Sequence, residues 1–230
     1  GGVDAFIPRA AQGTIPVYGG KNYRRYLRES AVPRGLMRAY YQMGYLIPKD
    51  ITGSVGSGIG PAVGNGETTY QKPTVVVEDT LDLEIGGVQI HLFHSPSDLD
   101  DGVSLWLPEE KVMMVGDAAY PMLPAIATPR FEFGRQSWEA LETLDRYRAF
   151  PIEHMVPGHL RVISGREEVA SFLQNFRDLV QYMQDQSIRA VNRRLDHDEA
   201  AIEMEENLPP HLANDPNLAE RYHEFHWIAK

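Results

Sequence analysis

The hydrophobic positions along the chain change their period twice. From Thr74 to Asp117 they come as short apolar or alternating runs, Thr74–Glu78, Leu81–Ile85, Val88–Phe93, Val103–Leu107 and Lys111–Val115. That is the two-residue repeat of β-strands. Gly86-Gly87 and Glu109-Glu110 fall at hairpin-turn positions between the runs. Over Arg135–Phe150 the repeat becomes that of an amphipathic helix, with Trp138, Leu141, Leu144 and Tyr147 on one stripe. His154–Gly158 reads as one more buried strand that ends in a loop.

From Arg166 onward the pattern is helical. Val169, Phe172, Leu173, Phe176, Leu179, Val180, Met183, Ile188, Val191 and Leu195 recur at helical spacing. Ser164 fits the N-cap of this helix, and Glu167 completes a capping-box pattern. A second short helix over Asp198–Glu206 stops before Leu208-Pro209-Pro210, and Glu220–Lys230 is again helical in pattern. The first third is less regular. Thr14–Tyr18 is strand-like up to Gly19-Gly20, helices are expected over Lys21–Glu29 and Pro33–Gly44, and a glycine-rich loop runs from Thr52 to Pro61 and on to Gly66. The expected organisation is an α/β domain over residues 1–165 and a helical appendage over 166–230.

Composition narrows the chemistry. The 230 residues carry 22 basic and 32 acidic side chains, a formal charge of −10. That balance disfavours nucleic acid, whose binding relies on Lys and Arg displacing counterions. Cysteine is absent, which removes disulfides, thiol catalysis and Cys-ligated metals and leaves His, Asp and Glu as metal ligands. No apolar run approaches the ~20 residues of an integral membrane segment, and no signal peptide is visible. The compartment is left unassigned.

Three residues sit where strands give way to loops: Asp98 in His94-Ser95-Pro96-Ser97-Asp98, Asp117 at the end of Val112–Gly116, and His159 after Val156-Pro157-Gly158. A carboxylate or imidazole there is aimed by a rigid scaffold with open space in front of it. On the residues alone, Asp98, Asp100 and Asp101 read more readily as a solvated turn than as a ligand set, Asp117 equally as a helix N-cap or a site residue, and Pro157-Gly158-His159 as a turn. His91 and His94 read as structural.

The order Asp98, Asp117, His159 resembles the downstream half of the metallo-β-lactamase superfamily site. Pro96-Ser97-Asp98 stands in the place of its Thr-Pro-Gly-His element, Val115-Gly116-Asp117 matches its bridging-carboxylate strand, and Val156-Pro157-Gly158-His159 matches its last histidine loop. Trp106-Leu107-Pro108, the glycine loop, and the tail residues Arg177-Asp178-Leu179, Tyr182, Asp185-Gln186, Arg189, Asn192 and Leu208–Ala213 are similar to the alkylsulfatase branch.

The resemblance implies an αββα sandwich, incomplete at its N-terminus, followed by an all-α helical dimerisation domain, and hence a homodimer. It implies a zinc-dependent hydrolase of alkyl sulfate or closely related esters, with two Zn2+ per full-length subunit and a metal-bound hydroxide as nucleophile. By position, Asp98, Asp117 and His159 would be metal ligands, with Asp117 bridging. Arg130, thirteen residues after the bridging carboxylate, would hold the sulfate, since a guanidinium donates paired hydrogen bonds to an oxyanion. Gly58 and Gly60 would let the backbone approach a small-molecule substrate, although their loop reads equally as a flexible surface loop.

Departures from the family pattern are also plain. The His-x-His-x-Asp-His ligand motif is not in this sequence, and Gly1-Gly2-Val3 resembles its usual continuation. The expectation is a fragment of a longer hydrolase, nearly inactive by itself. Ala118, Ala125, Ala127 and Pro129-Arg130-Phe131 replace more polar residues of the sulfate pocket. The alternatives are a non-catalytic dimerising protein on the same scaffold and a hydrolase of another ester.

Overall fold

The structure, a computed structural model, describes residues 7, 13–23, 72–97, 99–122 and 136–218. The expected helices over 21–29, 33–44 and 220–230 and the glycine loop over 52–66 lie wholly or largely outside them. The chain divides into two compact units, Gly1–Val76 and Val77–Lys230.

In the first unit, β1 (Tyr18–Gly20) pairs with β2 (Val75–Val77). The Val17 carbonyl accepts from the amides of Thr74 and Val75 at 2.9 and 3.1 Å. Sequence pattern placed this strand at Thr14–Tyr18, ending at the glycines; the structure instead runs it through them. Close approach explains the difference. A Cβ at residue 19 would overlap the Pro73 ring, so glycine is what lets the two segments pair.

The second unit is built on a six-stranded sheet in the order β3-β4-β5-β6-β7-β8. Strands β3 (Thr80–Ile85), β4 (Val88–His94), β5 (Val103–Leu107) and β6 (Val112–Gly116) form an antiparallel meander. The first hairpin turns at Gly86-Gly87, both at positive φ (62° and 84°), as a two-residue turn matching strand twist demands. The chain then passes through helix α1 (Ser137–Arg148) to β7 (His154–Pro157), which lies parallel to β6, and β8 (Ile163–Ser164) closes the edge antiparallel to β7. Strand β8 is too short to show a period in the sequence.

Helix α2 (Arg166–Arg193) packs on α1 and reaches β7 and β8, and α3 (His197–Glu206) and α4 (Pro210–Ala213) pack back onto α2. One core joins sheet and helices: Phe93, Met113, Met155 and Ile163 from the strands meet Leu144 and Tyr147 of α1 and Phe172, Leu173 and Phe176 of α2.

Two helix expectations are corrected. The N-cap of α2 is Gly165, at φ +104°, and no side chain caps it. Ser164 instead ends β8 and pairs with His154. The capping box occurs one helix later, where Asp196 Oδ1 accepts from the Glu199 amide at 2.9 Å and the Asp196 amide donates back to Glu199 at 3.0 Å. Of the expected stripes, Trp138 on α1 and Ile188 and Val191 on α2 are exposed. Their periodicity is real, but they lie beyond what the neighbouring elements cover.

Candidate functional site

The β6–β7 pair is parallel, and its register slips between Met114 and Gly116. Such an irregularity bends one strand and re-aims the residues beyond it. Gly116 takes a positive φ of 56°, and the Ala118 amide donates to the Val115 carbonyl at 3.1 Å, so the chain turns sharply off the strand. Asp117 sits on that turn. On the neighbouring strand, β7 ends at Pro157, and the Gly158 amide donates to the Gly116 carbonyl at 2.7 Å. His159 comes next.

The two loop ends therefore converge. Asp117 Oδ1 and His159 Nε2 are 3.4 Å apart, with side chains 46% and 66% exposed. Gly158 makes this possible: a Cβ there would land on Asp117 Oδ1. Asp117 begins no helix, so its N-cap reading does not apply. Ala118, Ala119 and Tyr120 turn inward and are buried. The Tyr120 ring meets the His159 imidazole edge-on, with centroids 6.1 Å apart at 77°, and touches Phe176 of α2 on another side at 6.0 Å and 67°.

A second polar grouping surrounds the segment before residue 98. Ser95 Oγ pairs with Ser104 Oγ at 2.8 Å, and Ser104 Oγ with the Tyr147 hydroxyl at 2.6 Å. Burial pushes the Tyr147 phenol up to about 12, opposed by its hydroxyl partners Ser104 and Ser95. Thr143 Oγ1 donates to the Pro96 carbonyl at 2.7 Å, and His94 Nε2 lies 2.7 Å from the Asp100 carbonyl. His91 pairs with Asp82 across the β3–β4 ladder. Both histidines thus bond within the sheet and its loop, matching their structural reading.

Of the residues singled out in the sequence, Asp117 and His159 are brought together. Asp98, Arg130, Gly58 and Gly60 lie outside the described residues. Among the described residues, no third His, Asp or Glu joins the pair in a metal-holding group. The chemistry of the pair nevertheless suits zinc. Ligands at ~2.1 Å on a tetrahedral zinc stand roughly 3.4 Å from one another, and the observed 3.4 Å matches that spacing. Sequence reading missed Tyr120 and the contact role of Gly158. Their only signals were an aromatic three residues after Asp117 and a glycine directly before His159.

Residues 10–159 match the metallo-beta-lactamase superfamily. The chain belongs to that superfamily. As a member it is 32% identical, over 96% of its length, to the linear primary-alkylsulfatase of a Pseudomonas species, of which the match covers 43%. It is 24% identical, over 68% of its length, to the alkyl/aryl-sulfatase of Saccharomyces cerevisiae, covering 25% of that protein. Its curated relatives thus lie in the alkylsulfatase branch of the superfamily, and the chain spans less than half their length. Its fold is that of the stereoselective inverting sec-alkylsulfatase Pisa1 from Pseudomonas sp., with a TM-score of 0.80, 21% identity, and coverage of 100% of this chain and 38% of that one. The mixed sheet with following helices is accordingly the superfamily's α/β architecture, as expected from the sequence. Membership implies metal ions, generally zinc.

Proposed function

We propose that this chain carries the downstream half of the active centre of a zinc-dependent hydrolase that cleaves alkyl sulfate esters. What supports this most directly is the placement of Asp117 and His159, 3.4 Å apart at the ends of adjacent parallel strands, in a chain whose relatives are alkylsulfatases. In this reading Asp98, Asp117 and His159 would hold zinc, with Asp117 as the bridging carboxylate that the family resemblance implies. Arg130 receives the sulfate through paired hydrogen bonds and steadies the charge that develops as the ester breaks. Gly58 and Gly60 admit the substrate close to the backbone. Bound zinc supplies Lewis acidity and makes water a competent nucleophile at neutral pH.

The chain's own contribution is positional. The sheet fixes where the carboxylate and imidazole stand, and their exposure leaves lone pairs available to an ion from solvent. With a net charge of −10, attraction of an anionic sulfate falls to zinc and Arg130 locally. In the family the sequence resembles, further ligands come from a His-x-His-x-Asp-His segment that is not in this sequence, and the helices from residue 166 would pair two subunits.

The test is metal analysis after equilibrium dialysis against zinc, comparing the chain with its Asp117→Asn variant, together with sulfate release from dodecyl sulfate by the complete product. Zinc retained by the chain but not by the variant, with sulfate release dependent on Asp117, is the expected result. Absence of retained zinc, or undiminished hydrolysis by Asp117→Asn, overturns the reading. Cleavage of a phosphate ester or lactone in place of the sulfate would overturn the substrate assignment alone.

A further inference from the structure

Tyr120 lies outside the proposed ligand set, yet two aromatic groups from different elements meet on it. Its buried ring stands edge-on to the His159 imidazole on one side and edge-on to Phe176 on the other. Phe176 is itself buried in the middle of α2 and packed at 5.4 Å against Phe172. A row of rings therefore runs from the interior of α2, through the turn after Asp117, to the imidazole.

His159 is otherwise weakly constrained, with its side chain 66% exposed. It comes directly after Gly158, whose lack of a Cβ is required by Asp117, and that glycine adds no side chain to brace its neighbour. Edge-to-face aromatic contact has a preferred geometry, so the Tyr120 ring restricts the rotamers open to the imidazole. Groups that orient a metal-binding histidine contribute to affinity without touching the metal, commonly by 10- to 100-fold.

We infer that Tyr120 is a positioning residue for His159 and that Phe176 anchors it, so that the packing of helix α2 sets the zinc affinity of the site. This rests on the reading of Asp117 and His159 as zinc ligands. It makes the long helix more than a support for the sheet: its eleventh residue, Phe176, reaches His159 through one intermediate ring, and its seventh, Phe172, backs Phe176.

The experiment measures zinc affinity of the 230-residue chain by competition with a chromophoric chelator, alongside thermal unfolding of the metal-free protein. Tyr120→Leu is expected to raise the zinc Kd about 10-fold, Tyr120→Phe to stay within about twofold of the parent, and Phe176→Leu to raise the Kd in the same direction by less. Leu179→Ala, on α2 but outside the row of rings, is expected to lower the unfolding temperature and leave the Kd unchanged. If Tyr120→Leu lowers the unfolding temperature but leaves the Kd within twofold, the inference fails and Tyr120 is only a core residue. An equal rise for Leu179→Ala overturns it too, because any loosening of α2 would then suffice. Asp117→Asn separates the two levels. Zinc affinity unchanged in that variant removes the ligand reading itself, whereas affinity lost there but retained in Tyr120→Leu removes only the positioning role.

Discussion

The chain Ser95–Ser104–Tyr147 and the pair Asp117–His159 use comparable polar side chains in the same compact unit, with opposite treatment by the fold. Every hydroxyl of the first has a partner inside the protein, and the Tyr147 ring is fully buried. A buried polar group without a partner is costly, so such a chain must be closed upon itself. The second pair is held at 3.4 Å, about half exposed, on the ends of two strands. Its two members meet each other while both still face solvent. The contrast teaches where to look for chemistry in this fold: buried polar atoms closed on one another hold elements in register, and polar atoms that the scaffold aims and leaves exposed remain accessible to a ligand.

Substitutions break the contrast in a graded way. Tyr147→Ala should have the largest effect, a loss of about 4 kcal/mol in unfolding free energy from the cavity it leaves and the partner it strands, read by urea denaturation. Its milder counterpart, Tyr147→Phe, tests the phenol. Because burial holds that group neutral up to about 12, the unfolded chain loses the proton first as pH rises above 10, and the parent should lose stability between pH 10 and 12. The Phe variant should lose less over the same interval. Next comes His159→Gln, predicted to raise the zinc Kd at least 10-fold while leaving metal-free unfolding unchanged. Zinc binding untouched by this change would erase the distinction between the two groupings.

Thr143→Val leaves the Pro96 carbonyl without its donor and should cost about 1 kcal/mol. The smallest effect is expected at the α1–α2 seam, where Arg177 donates from Nε and Nη2 to the two Asp145 oxygens at 3.0 and 3.3 Å. That hydrogen bond, aided by Arg148 and opposed by burial, holds the Asp145 carboxyl below its ordinary 3.8. Its folded value being the lower one, its contribution is present at neutral pH and disappears as pH falls through and below that range. Arg177→Met should cost about 0.5 kcal/mol at low salt, and less in 1 M salt or in acid.

The sheet was legible because period-two patterning and double-glycine turns are local signals: β5 falls on Val103–Leu107 as read, and β3, β4 and β6 within a residue or two at their ends. Helix α2 was legible for the same reason, and Val169 through Met183 are buried as its stripe predicted. Ile188 and Val191 show the limit of that signal, since periodicity reports a face and says nothing of whether a neighbour covers it. Their exposures of 54% and 75% flank the buried Ala190, so the covered face of α2 passes between them. The N-cap was misplaced because Ser164 is taken up in the β7–β8 ladder before the helix starts. As for the site, strand-end positions made Asp117 and His159 candidates, but their approach depends on a register slip and a parallel crossover, both non-local. Tyr120 was invisible because its role comes from a helix that begins 46 residues later.

Gly158 gives the site a hidden requirement. Any side chain at that position would have to displace the Asp117 carboxylate or the backbone beneath it. If the proposed roles of Asp117 and His159 hold, the requirement extends to a residue that has no functional group at all. For an engineer moving this pair onto another sheet, the smallest transferable unit is Gly116-Asp117 together with Gly158-His159. Without glycine at the position of Gly158 an added Cβ would fall on the acid itself, and without Gly116 the turn would have to hold another residue at positive φ.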